Sequence, residues 1–491
     1  MNLIDQFLGV VQRHPAAPAL IHQGQVMTRG QFLKLVVATS RHLHEQGVAP
    51  GEVMGMSLDH SPLHLAAMLA VARLGAVSLP VHPATPPAGQ QRLMAKFGAS
   101  RLICMPDAQV PPGVPAVVLD AAVLKPLESA DLRFIPYWPA PETPARIGLT
   151  SGTTGMPGGI LYTHAYWGHR IATTVDNCDA QTRLMPSNLH LTLGNLSAFA
   201  ALLSGGMVVF NRLHDIRSYF QTVQLYGVTH ALMAPALIAE MATLNTEPGP
   251  AFPSMRHLRM VGGALTRQQI AIAKTRLSPN ISLPYGLSEV GAVSIASPDL
   301  LTSHPEFAGR CKPGVLVQAL GPNGEVLAVG QTGELRVKVP GMPQSYYRDE
   351  VRTADRFVDG WFMTRDIGMV TSDGLVRIEG RADDRLNIGG QKLHPEQIES
   401  VLQQHPEVKE VAVFVADNAL GNKVLMAAIV LNHSGAVQRK FTDYCRDMRM
   451  GRQAPQRFLL VPQLPRNPAG KLIRTALPEL LSNPGQGQTL H

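Results

Sequence analysis

The sequence predicts an α/β protein with a large N-terminal domain of doubly wound sheets, a small antiparallel barrel, and a small α+β C-terminal domain. Its 491 residues are too many for one compact core. Between Gln31 and Pro284, helical and extended patterns alternate, which is typical of βα units around a mostly parallel sheet. From about Pro313, short extended segments follow one another around Asn-Gly and Asp-Gly pairs, which are strong signals of antiparallel hairpins.

The first part of the chain begins with a segment whose apolar residues recur at helical spacing, followed by a buried helix with proline in its first turn. The segments predicted here are helices at Gln31–Gln46 and Pro62–Leu74, and strands at Ala76–Val81, Arg101–Cys104 and Ala116–Leu119. The alternation resumes after a proline-rich stretch. It predicts helices at Leu196–Leu203, Ile216–Tyr226, Ala236–Leu244 and Arg267–Arg276, and strands at Met207–Phe210, His230–Met233, His257–Val261 and Ile281–Pro284.

The last third of the chain has a different texture. Strands are predicted at Val315–Leu320, Gly333–Val337, Trp361–Phe362 and Leu375–Ile378, then at Val411–Val415, Leu425–Leu431 and Phe458–Val461, with helices at Pro395–Gln404 and Phe441–Met448. We place the domain boundary at the charged turn Gly380–Asp384. The prediction is an N-terminal domain of residues 1–380, a hinge of residues 381–384 and a C-terminal domain of residues 385–491.

The composition limits the class of protein. A hydrophobic content of 45% and a charged content of 16% describe an ordered globular chain. The net charge of +7 suits an anionic partner, but the Lys and Arg residues are scattered and form no nucleic-acid stripe, so nucleotide phosphates or an acidic protein are better candidates. The four cysteines stand far apart, which predicts free thiols rather than a zinc site or disulfides. The start of the chain does not resemble a signal peptide, and the most apolar segment, Leu63–Val81, is too interrupted to span a membrane, so we expect a soluble, cytoplasmic protein.

One segment, Leu149–Gly159, concentrates glycines and hydroxyl side chains after a short apolar run. Glycine allows sharp bends, and successive N–H groups in such a bend form a concavity for anions to which hydroxyls add donors. The segment therefore predicts a loop around a phosphate chain, although a flexible surface turn would have the same composition. It matches neither the P-loop nor the dinucleotide-binding spacing. Its candidate binding residues are Thr150, Ser151, Gly152, Thr153, Thr154 and Gly155.

Four further clusters carry side chains suited to nucleotide chemistry. Tyr285–Glu289 follows a strand and offers an aromatic ring, a hydroxyl and a carboxylate, which could stack on a base and hold phosphate-bound Mg²⁺. Gly360–Gly368 ends a strand in Asp366, which could accept hydrogen bonds from ribose hydroxyls. Gly380–Leu393 supplies an arginine and a glycine pair, and Pro465–Lys471 places a lysine in a late loop. Singly, each is also typical of a turn-capping carboxylate, a core aromatic or a solvated lysine.

In this order and spacing, the five clusters resemble the adenylate-forming superfamily: acyl- and aryl-CoA synthetases, adenylation domains of peptide synthetases, and luciferases. The resemblance extends from Pro15–Leu20 to Lys471 and covers nearly the whole chain. It implies a two-step reaction in which a carboxylate attacks the α-phosphate of ATP to give acyl-AMP and pyrophosphate. A thiol then takes the acyl group and releases AMP.

The resemblance also implies roles for individual residues. Residues Thr150–Gly155 would hold the β- and γ-phosphates, and the remaining nucleotide contacts would come from Gly263, Ala264, Tyr285, Gly286, Asp366, Ile378 and Arg381. Ser288 would bind the α-phosphate and Glu289 would bind Mg²⁺. Asp383 would be the hinge of the C-terminal domain, and Gly390 would line the channel for the thiol.

Lys471 would bridge the carboxylate and ATP in the first step. A cation in contact with both anions relieves their repulsion and stabilises the charge of the transition state. Three departures accompany the resemblance: Gly158 stands where the family usually has a loop lysine, Asn387 where a lysine is frequent, and Ser288 where threonine is common. The first departure removes one cation from the pyrophosphate and should weaken ATP binding or slow the first step.

The acid and the acceptor are less constrained. Amino-acid-activating relatives usually carry an Asp near the position of Thr192, and a buried ammonium without such a partner is costly, so an α-amino acid is disfavoured. Pro186–His190 is similar to a segment of CoA ligases in which the histidine gates the carboxylate; a hydrogen-bonded core histidine is an equal alternative for His190. The predicted pocket walls are small or apolar, which favours an apolar acyl or aryl acid: Met233, Val261, Gly262, Gly291 and Ala292.

The acceptor would be CoA or the phosphopantetheine arm of an acyl or peptidyl carrier protein, and the basic balance of the chain suits both. Two alternatives remain open. One is a stand-alone amino-acid adenylation enzyme that loads a peptidyl carrier protein. The other is a degenerate family member that binds nucleotide without turnover; the missing loop lysine motivates it, and the retained Glu289, Asp366, Asp383 and Lys471 argue against it.

Overall fold

The computed structural model describes residues 2–120, 132, 134–150, 156–174, 178–213, 215–382, 386–388, 391–393, 395–417, 423–432, 438–448, 450–451, 454–466, 472–481 and 488–490. Contacts between residues divide the chain into two compact units. The first comprises Met1–Val261, Ala271–Val293 and Val339–Gly360, and the second comprises Gly262–Ile270, Ser294–Lys338 and Trp361–His491.

Helices and strands alternate through most of the chain. The α-helices are α1 (Leu3–Arg13), α2 (Arg29–Glu45), α3 (Pro62–Arg73), α4 (Pro87–Phe97), α5 (His164–Thr174), α6 (Thr192–Leu203), α7 (Ile216–Tyr226), α8 (Ile238–Thr243), α9 (Arg267–Ile272), α10 (Pro298–Ser303), α11 (Glu350–Arg356), α12 (Pro395–Leu402) and α13 (Gln438–Asp447). Short 3₁₀ turns at Pro235–Leu237, Arg474–Ala476 and Pro478–Leu481 and a π turn at Ala273–Leu277 accompany them.

The chain also forms β-strands. They are β1 (Pro18–His22), β2 (Gln25–Thr28), β3 (Val53–Ser57), β4 (Val77–Pro80), β5 (Ala99–Cys104), β6 (Ala116–Val118), β7 (Pro144–Leu149), β8 (Gly159–Thr163), β9 (Arg183–Met185), β10 (Met207–Val209), β11 (His230–Met233), β12 (His257–Met260), β13 (Ile281–Leu287), β14 (Gly291–Ala296), β15 (Gly309–Cys311), β16 (Leu316–Leu320), β17 (Gly333–Lys338), β18 (Phe357–Val358), β19 (Trp361–Val370), β20 (Leu375–Arg381), β21 (Leu386–Ile388), β22 (Gln391–Leu393), β23 (Val408–Asp417), β24 (Lys423–Leu431), β25 (Arg457–Leu460) and β26 (Gln488–Leu490).

The first unit contains two mostly parallel sheets. One has the order β6-β5-β3-β4-β7-β8, with only β8 antiparallel to its neighbour. Every residue of β3, β4 and α3 is buried, as expected where helices cover a parallel sheet on both faces. The α/β fold predicted from the alternating patterns is confirmed in this unit.

The other sheet of the first unit has the order β2-β1-β10-β9-β11-β12-β13, in which only β2 is antiparallel. Ligands of open parallel sheets bind beyond the carboxyl ends of the strands. Strand β13 brings the Tyr285–Glu289 cluster to that edge. The sequence predicted that this strand ends at Pro284, but it continues to Leu287, so Tyr285 and Gly286 belong to the strand itself.

The second unit contains an antiparallel module, as the Asn-Gly and Asp-Gly turns predict. The end of β14 pairs with β15, which pairs with β20, and the ladder continues through β19 and β17 to β16. The sequence predicted only Trp361–Phe362 as a strand, but β19 runs to Val370. The prediction that Asp366 ends a strand is therefore wrong, because Asp366 lies inside β19.

The C-terminal part of the second unit is α+β, as predicted. Its sheet has the order β23-β24-β25-β26. One face buries a core that includes Leu402, Val413 and Phe441, and the opposite face buries a core that includes Phe414 and Leu477. Neighbouring residues of β23 alternate between these cores because side chains of a strand point to opposite faces in turn.

The bounds predicted for α7 and β11 are confirmed to the residue, whereas α6 begins at Thr192, four positions earlier than predicted.

Across the described residues, no helix combines the length and the hydropathy that a membrane crossing would require.

Gly194, in the first turn of α6, leaves no space for a side chain. A Cβ atom at this position would lie 2.2 Å from the carbonyl oxygen of Asn188, and a backbone atom cannot swing aside as a flexible side chain can. Overpacking of this kind costs about 1–3 kcal/mol. We expect Gly194→Ala to lower the free energy of unfolding by about 2 kcal/mol, measured by urea unfolding.

Gly9→Ala is the matched control, because Gly9 lies inside α1 and a Cβ atom there would meet nothing within 4 Å. This variant should raise the free energy of unfolding by up to about 1 kcal/mol, since alanine favours helix over glycine. Equal behaviour of the two variants would contradict the tight contact between α6 and the segment before it.

Candidate functional site

The turn after β13 is built around a glycine that no other residue could replace without strain. A Cβ atom on Gly286 would lie 2.4 Å from the carbonyl oxygen of Gly291, and Gly291 itself has a φ of 91°. The two glycines let β13 and β14 approach closely and leave Ser288 and Glu289 in the turn between them. Both candidate residues are therefore presented at the carboxyl end of β13.

Glu289 is held by one hydrogen bond to its carboxylate. The hydroxyl of Tyr346 donates to Oε1 of Glu289 at 2.7 Å. Burial and the neighbouring carboxylate raise the pKa of Tyr346, so the phenol remains protonated and remains a donor. Among the described residues, no group bonds the second oxygen of Glu289, which is left available to another ligand.

Arg170 of α5 fixes the main chain of the same turn. Its Nη1 donates to the hydroxyls of Tyr162 at 3.0 Å and Tyr166 at 3.1 Å. The same atom lies 3.4 Å from each of the carbonyl oxygens of Ser288 and Glu289. Arg170 is buried, and the surrounding tyrosines and Glu289 raise its pKa although burial opposes this, so the guanidinium stays charged.

Tyr166 also stays protonated, because burial raises its pKa to about 12. Arg170 and its tyrosines are not among the residues predicted from the sequence. Their spacing contained a usable signal, since Tyr166 and Arg170 are four positions apart on one helix and such pairs face each other.

The glycine-rich segment joins two antiparallel strands. Thr150 follows β7, Gly159 begins β8, and the amide of Thr150 donates to the carbonyl of Gly158 at 2.9 Å. This bond pairs the two ends of the segment at the edge of the sheet. Its residues Ser151, Gly152, Thr153, Thr154 and Gly155 lie outside the described residues.

His190 is buried and neutral. Its Nε2 lies 2.8 Å from the carbonyl oxygen of Leu58, and because a carbonyl can only accept, Nε2 carries the proton. Burial lowers the pKa of His190 to about 3. Its Nδ1 is buried without a hydrogen-bond partner among the described residues, so it presents an unshared lone pair.

Three other histidines and an arginine accompany His190. The ring of His64 lies 4.6 Å from that of His190 between centroids, and the ring of His82 lies 5.2 Å away. Burial lowers the pKa of His60 to about 4. Burial also lowers the pKa of His64 well below its ordinary value, and the neighbouring His190 and the charge of Arg146 further oppose its protonation. Only His190 of this cluster is among the residues predicted from the sequence.

Arg146 of β7 is an unusual member of this neighbourhood. It is 1% exposed, and its Nε and Nη2 have no hydrogen-bond partner within the part of the chain that the structure describes. Burial lowers its pKa to about 10, which still leaves the guanidinium charged at neutral pH. A buried cation in this state disfavours any further positive charge nearby.

The second unit holds the candidate ribose-binding residues in a distorted strand. Arg365 has a φ of 62°, and the pairing of β19 with β20 shifts register between Ile367 and Gly368. This bulge turns Asp366 inward, where its side chain is 7% exposed and its Oδ1 lies 3.3 Å from Nη1 of Arg381. The structure thus brings together the predicted pair Asp366 and Arg381.

The remaining predicted residues fall into three groups. Ile378 lies in β20 opposite Gly368 of β19, and Gly263 and Ala264 are exposed in the second unit. Among the predicted pocket walls, Met233 ends β11 and is buried, its carbonyl accepts from the amide of Val261, and Gly291 and Ala292 begin β14. Gly262 is exposed. Asp383, Gly390 and Lys471 lie outside the described residues.

Glu289 is suited to Mg²⁺ only in company with other ligands. Within the described ranges, no group of three or more His, Cys, Asp or Glu residues could hold a metal ion. Mg²⁺ in nucleotide sites takes one or two carboxylates and completes its shell with phosphate oxygens and water. The free oxygen of Glu289 fits that arrangement.

Two family models match most of the chain. The AMP-binding enzyme family matches residues 7–347, and the AMP-binding enzyme C-terminal domain matches residues 397–471. A fatty acid–[acyl-carrier-protein] ligase, ScoC of Streptomyces coeruleorubidus, is 26% identical over 494 residues, which cover 95% of this chain and 94% of that protein.

Two solved structures of the o-succinylbenzoate CoA synthetase MenE from Bacillus subtilis share the fold. The complex with the acyl-adenylate intermediate has a TM-score of 0.85 at 22% identity and covers 98% of this chain and 99% of that one. The complex with ATP and magnesium ion has a TM-score of 0.84 at 22% identity and covers 96% of this chain and 98% of that one.

The buried histidines predict a loss of stability in mild acid. The pKa of His60 is about 4 in the folded chain and about 6.5 when unfolded. Well above pH 6.5 the His60 side chain is neutral in both states. Below pH 6.5 it binds a proton in the unfolded state but stays neutral in the folded state. The free energy of unfolding therefore falls as the pH falls. At pH 5 the loss due to His60 is about 2 kcal/mol.

We therefore expect His60→Gln to reduce the drop in unfolding free energy between pH 7 and pH 5 by about 2 kcal/mol, measured by urea unfolding at both values. His14→Gln is the control, because His14 is exposed and the drop should be unchanged in that variant. The same drop in the wild-type protein and His60→Gln would show that His60 is not buried in its neutral form.

Proposed function

The chain belongs to the AMP-binding enzyme family, and we propose that it is an ATP-dependent ligase that joins an apolar acyl or aryl carboxylic acid to a thiol. The observation that carries the proposal is the hydrogen bond from Tyr346 to Glu289 at the carboxyl end of β13. It holds one carboxylate oxygen, and no described residue bonds the other. Arg170 fixes the backbone of the same turn, so the carboxylate is positioned before any ligand arrives.

The proposed first step forms an acyl-adenylate. A carboxylate oxygen of the acid attacks the α-phosphorus of ATP, the bond from that phosphorus to the bridging oxygen breaks, and pyrophosphate leaves. Glu289 would bind Mg²⁺, which neutralises part of the phosphate charge. Ser288 would donate its hydroxyl to the α-phosphate, and Lys471 would bring the two anions together.

The proposed second step transfers the acyl group. The sulfur of the thiol attacks the acyl carbon, the bond to the phosphate oxygen breaks, AMP leaves, and the thiol proton passes to solvent. We propose that residues 385–491 form the domain that turns about Asp383 between the steps and places Gly390 beside the incoming thiol. The acceptor is CoA or a carrier-protein phosphopantetheine, and the similarity to ScoC supports the second of these.

The charge around His190 supports an acid without an α-amino group. Arg146 is already a buried cation with unsatisfied donors, and the sequence offers Thr192 where a carboxylate would be needed. A substrate ammonium in this neighbourhood would be repelled and unpaired. The neutral His190 can accept a hydrogen bond at Nδ1 but cannot act as a cationic clamp.

Arg146 supports one alternative substrate class. A buried guanidinium with two unbonded nitrogens is a suitable partner for a second acidic group on the substrate, so a dicarboxylic acid is the second candidate. The two classes differ in what the far end of the acid carries. An apolar acid leaves Arg146 without an anionic partner, whereas a dicarboxylic acid neutralises it.

Exchange of pyrophosphate into ATP distinguishes the substrates. We expect exchange above background with fatty or aryl acids and none with α-amino acids, because only the former avoid an unpaired buried ammonium. Dicarboxylic acids of matched length complete the panel, and faster exchange with them would favour the alternative class. Exchange with amino acids alone would contradict the proposal.

Lys471→Ala should reduce the exchange rate by about a hundredfold to a thousandfold, the usual effect of removing one group that stabilises transition-state charge. AMP binding should be unchanged, since the proposed role concerns the transferring phosphate. Lys423→Ala is the control, because Lys423 is an exposed lysine at the start of β24. Exchange retained within about tenfold in Lys471→Ala would remove Lys471 from the first step.

A further inference from the structure

The space beside Gly158 is filled by an arginine from a distant part of the chain. A Cβ atom on Gly158 would lie 2.6 Å from Nη1 of Arg352 and 2.9 Å from Oγ1 of Thr150. The guanidinium therefore occupies the volume from which a side chain at position 158 would extend. Gly158 in turn closes the base of the glycine-rich loop through its bond to Thr150.

Arg352 is held in that place by several contacts. Its Nη2 donates to the carbonyl oxygen of Met156 at 3.4 Å, and its guanidinium carbon lies 5.5 Å from the centre of the Tyr346 ring. Asp349 caps α11 by accepting from the amide of Arg352, and its Oδ2 lies 3.7 Å from Nε. These contacts hold both the backbone amide and the guanidinium of Arg352, so its charge is fixed beside Gly158.

The charges in this cluster do not cancel. Nζ of Lys96 donates to the carbonyl of Pro157 at 3.0 Å and to Oδ2 of Asp349 at 3.2 Å. Lys96 and Arg352 thus share the single carboxylate of Asp349, which leaves one positive charge in excess. Arg352 keeps a side-chain exposure of 25%, so it is not closed off from solvent.

Tyr346 connects this cluster to the candidate metal ligand. Its ring lies against Arg352, and its hydroxyl bonds Glu289. A cation and a carboxylate that could hold Mg²⁺ therefore lie on the same tyrosine. A phosphate chain can be neutralised jointly by a metal ion and a cationic side chain, and arginine can bind phosphate through two parallel N–H donors.

We propose that Arg352 supplies a phosphate-binding cation beside Thr150 and Gly158, in the position that a side chain at residue 158 would otherwise take. The inference rests on the proposed function, since it assigns to Arg352 the β- and γ-phosphates of ATP. It accounts for the glycine at position 158, because any larger residue there would displace the guanidinium. The missing lysine at position 158 was the reason for considering a degenerate, non-catalytic family member. That reason no longer holds if Arg352 supplies the positive charge.

The experiment compares the dissociation constants of Mg-ATP and AMP by titration calorimetry. Arg352→Gln should raise the dissociation constant of ATP about tenfold, the effect of one charged hydrogen-bonding partner at a partly exposed site. AMP lacks the β- and γ-phosphates, so its dissociation constant should stay within about twofold of the wild-type value. Arg352→Lys keeps the charge but loses the two parallel donors, so it should recover only part of the ATP affinity.

Arg348→Gln is the matched control, because Arg348 belongs to the same segment but its guanidinium lies over Tyr347 rather than beside Gly158. Its ATP and AMP affinities should both match the wild-type protein. Equal weakening of ATP and AMP in Arg352→Gln, or no weakening of either, would overturn the inference and leave the proposed function intact. A wild-type protein that binds neither nucleotide would overturn the proposed function and the inference with it.

Discussion

The geometry of the candidate site depends on one buried cation, Arg170. Its guanidinium is shared by the hydroxyls of Tyr162 and Tyr166 and by the carbonyls of Ser288 and Glu289. These groups come from β8, α5 and the turn after β13, so one side chain joins the helix to the edge of the sheet at the carboxyl end of β13. A charged donor that is surrounded by acceptors and kept from water holds them more firmly than neutral bonds would. Removing it would leave several buried acceptors without a donor.

The sequence was sufficient for the architecture and for the order of the site segments. Alternating patterns located α7 and β11 to the residue. The Asn-Gly and Asp-Gly pairs predicted the antiparallel module. It was less successful where tertiary contacts decide local structure. The length of β19 and the bulge at Arg365 depend on pairing with β17 and β20, and no pattern within Trp361–Val370 reveals those partners.

The side chains that support the site could not be predicted from the sequence either. Arg146 reads as an interruption in an apolar strand, and only its burial beside histidines makes it notable. Arg352 lies about two hundred positions from Gly158, and nothing in a linear pattern joins them. Motifs reveal which groups touch a ligand when they are contiguous. They do not reveal the groups that reach the same place from elsewhere.

The contact between Gly158 and Arg352 has a consequence for how such sequences diverge. If the loop cation and the small residue beneath it form one unit, a change at either position alone is costly, and the two should be exchanged together. Among relatives of this chain, a bulky basic residue at 158 should then accompany a short or uncharged residue at 352, and glycine at 158 should accompany arginine at 352. The phosphate motif would be a pair of coupled positions rather than a stretch of chain, and a search that scores the loop alone would judge such a sequence incomplete.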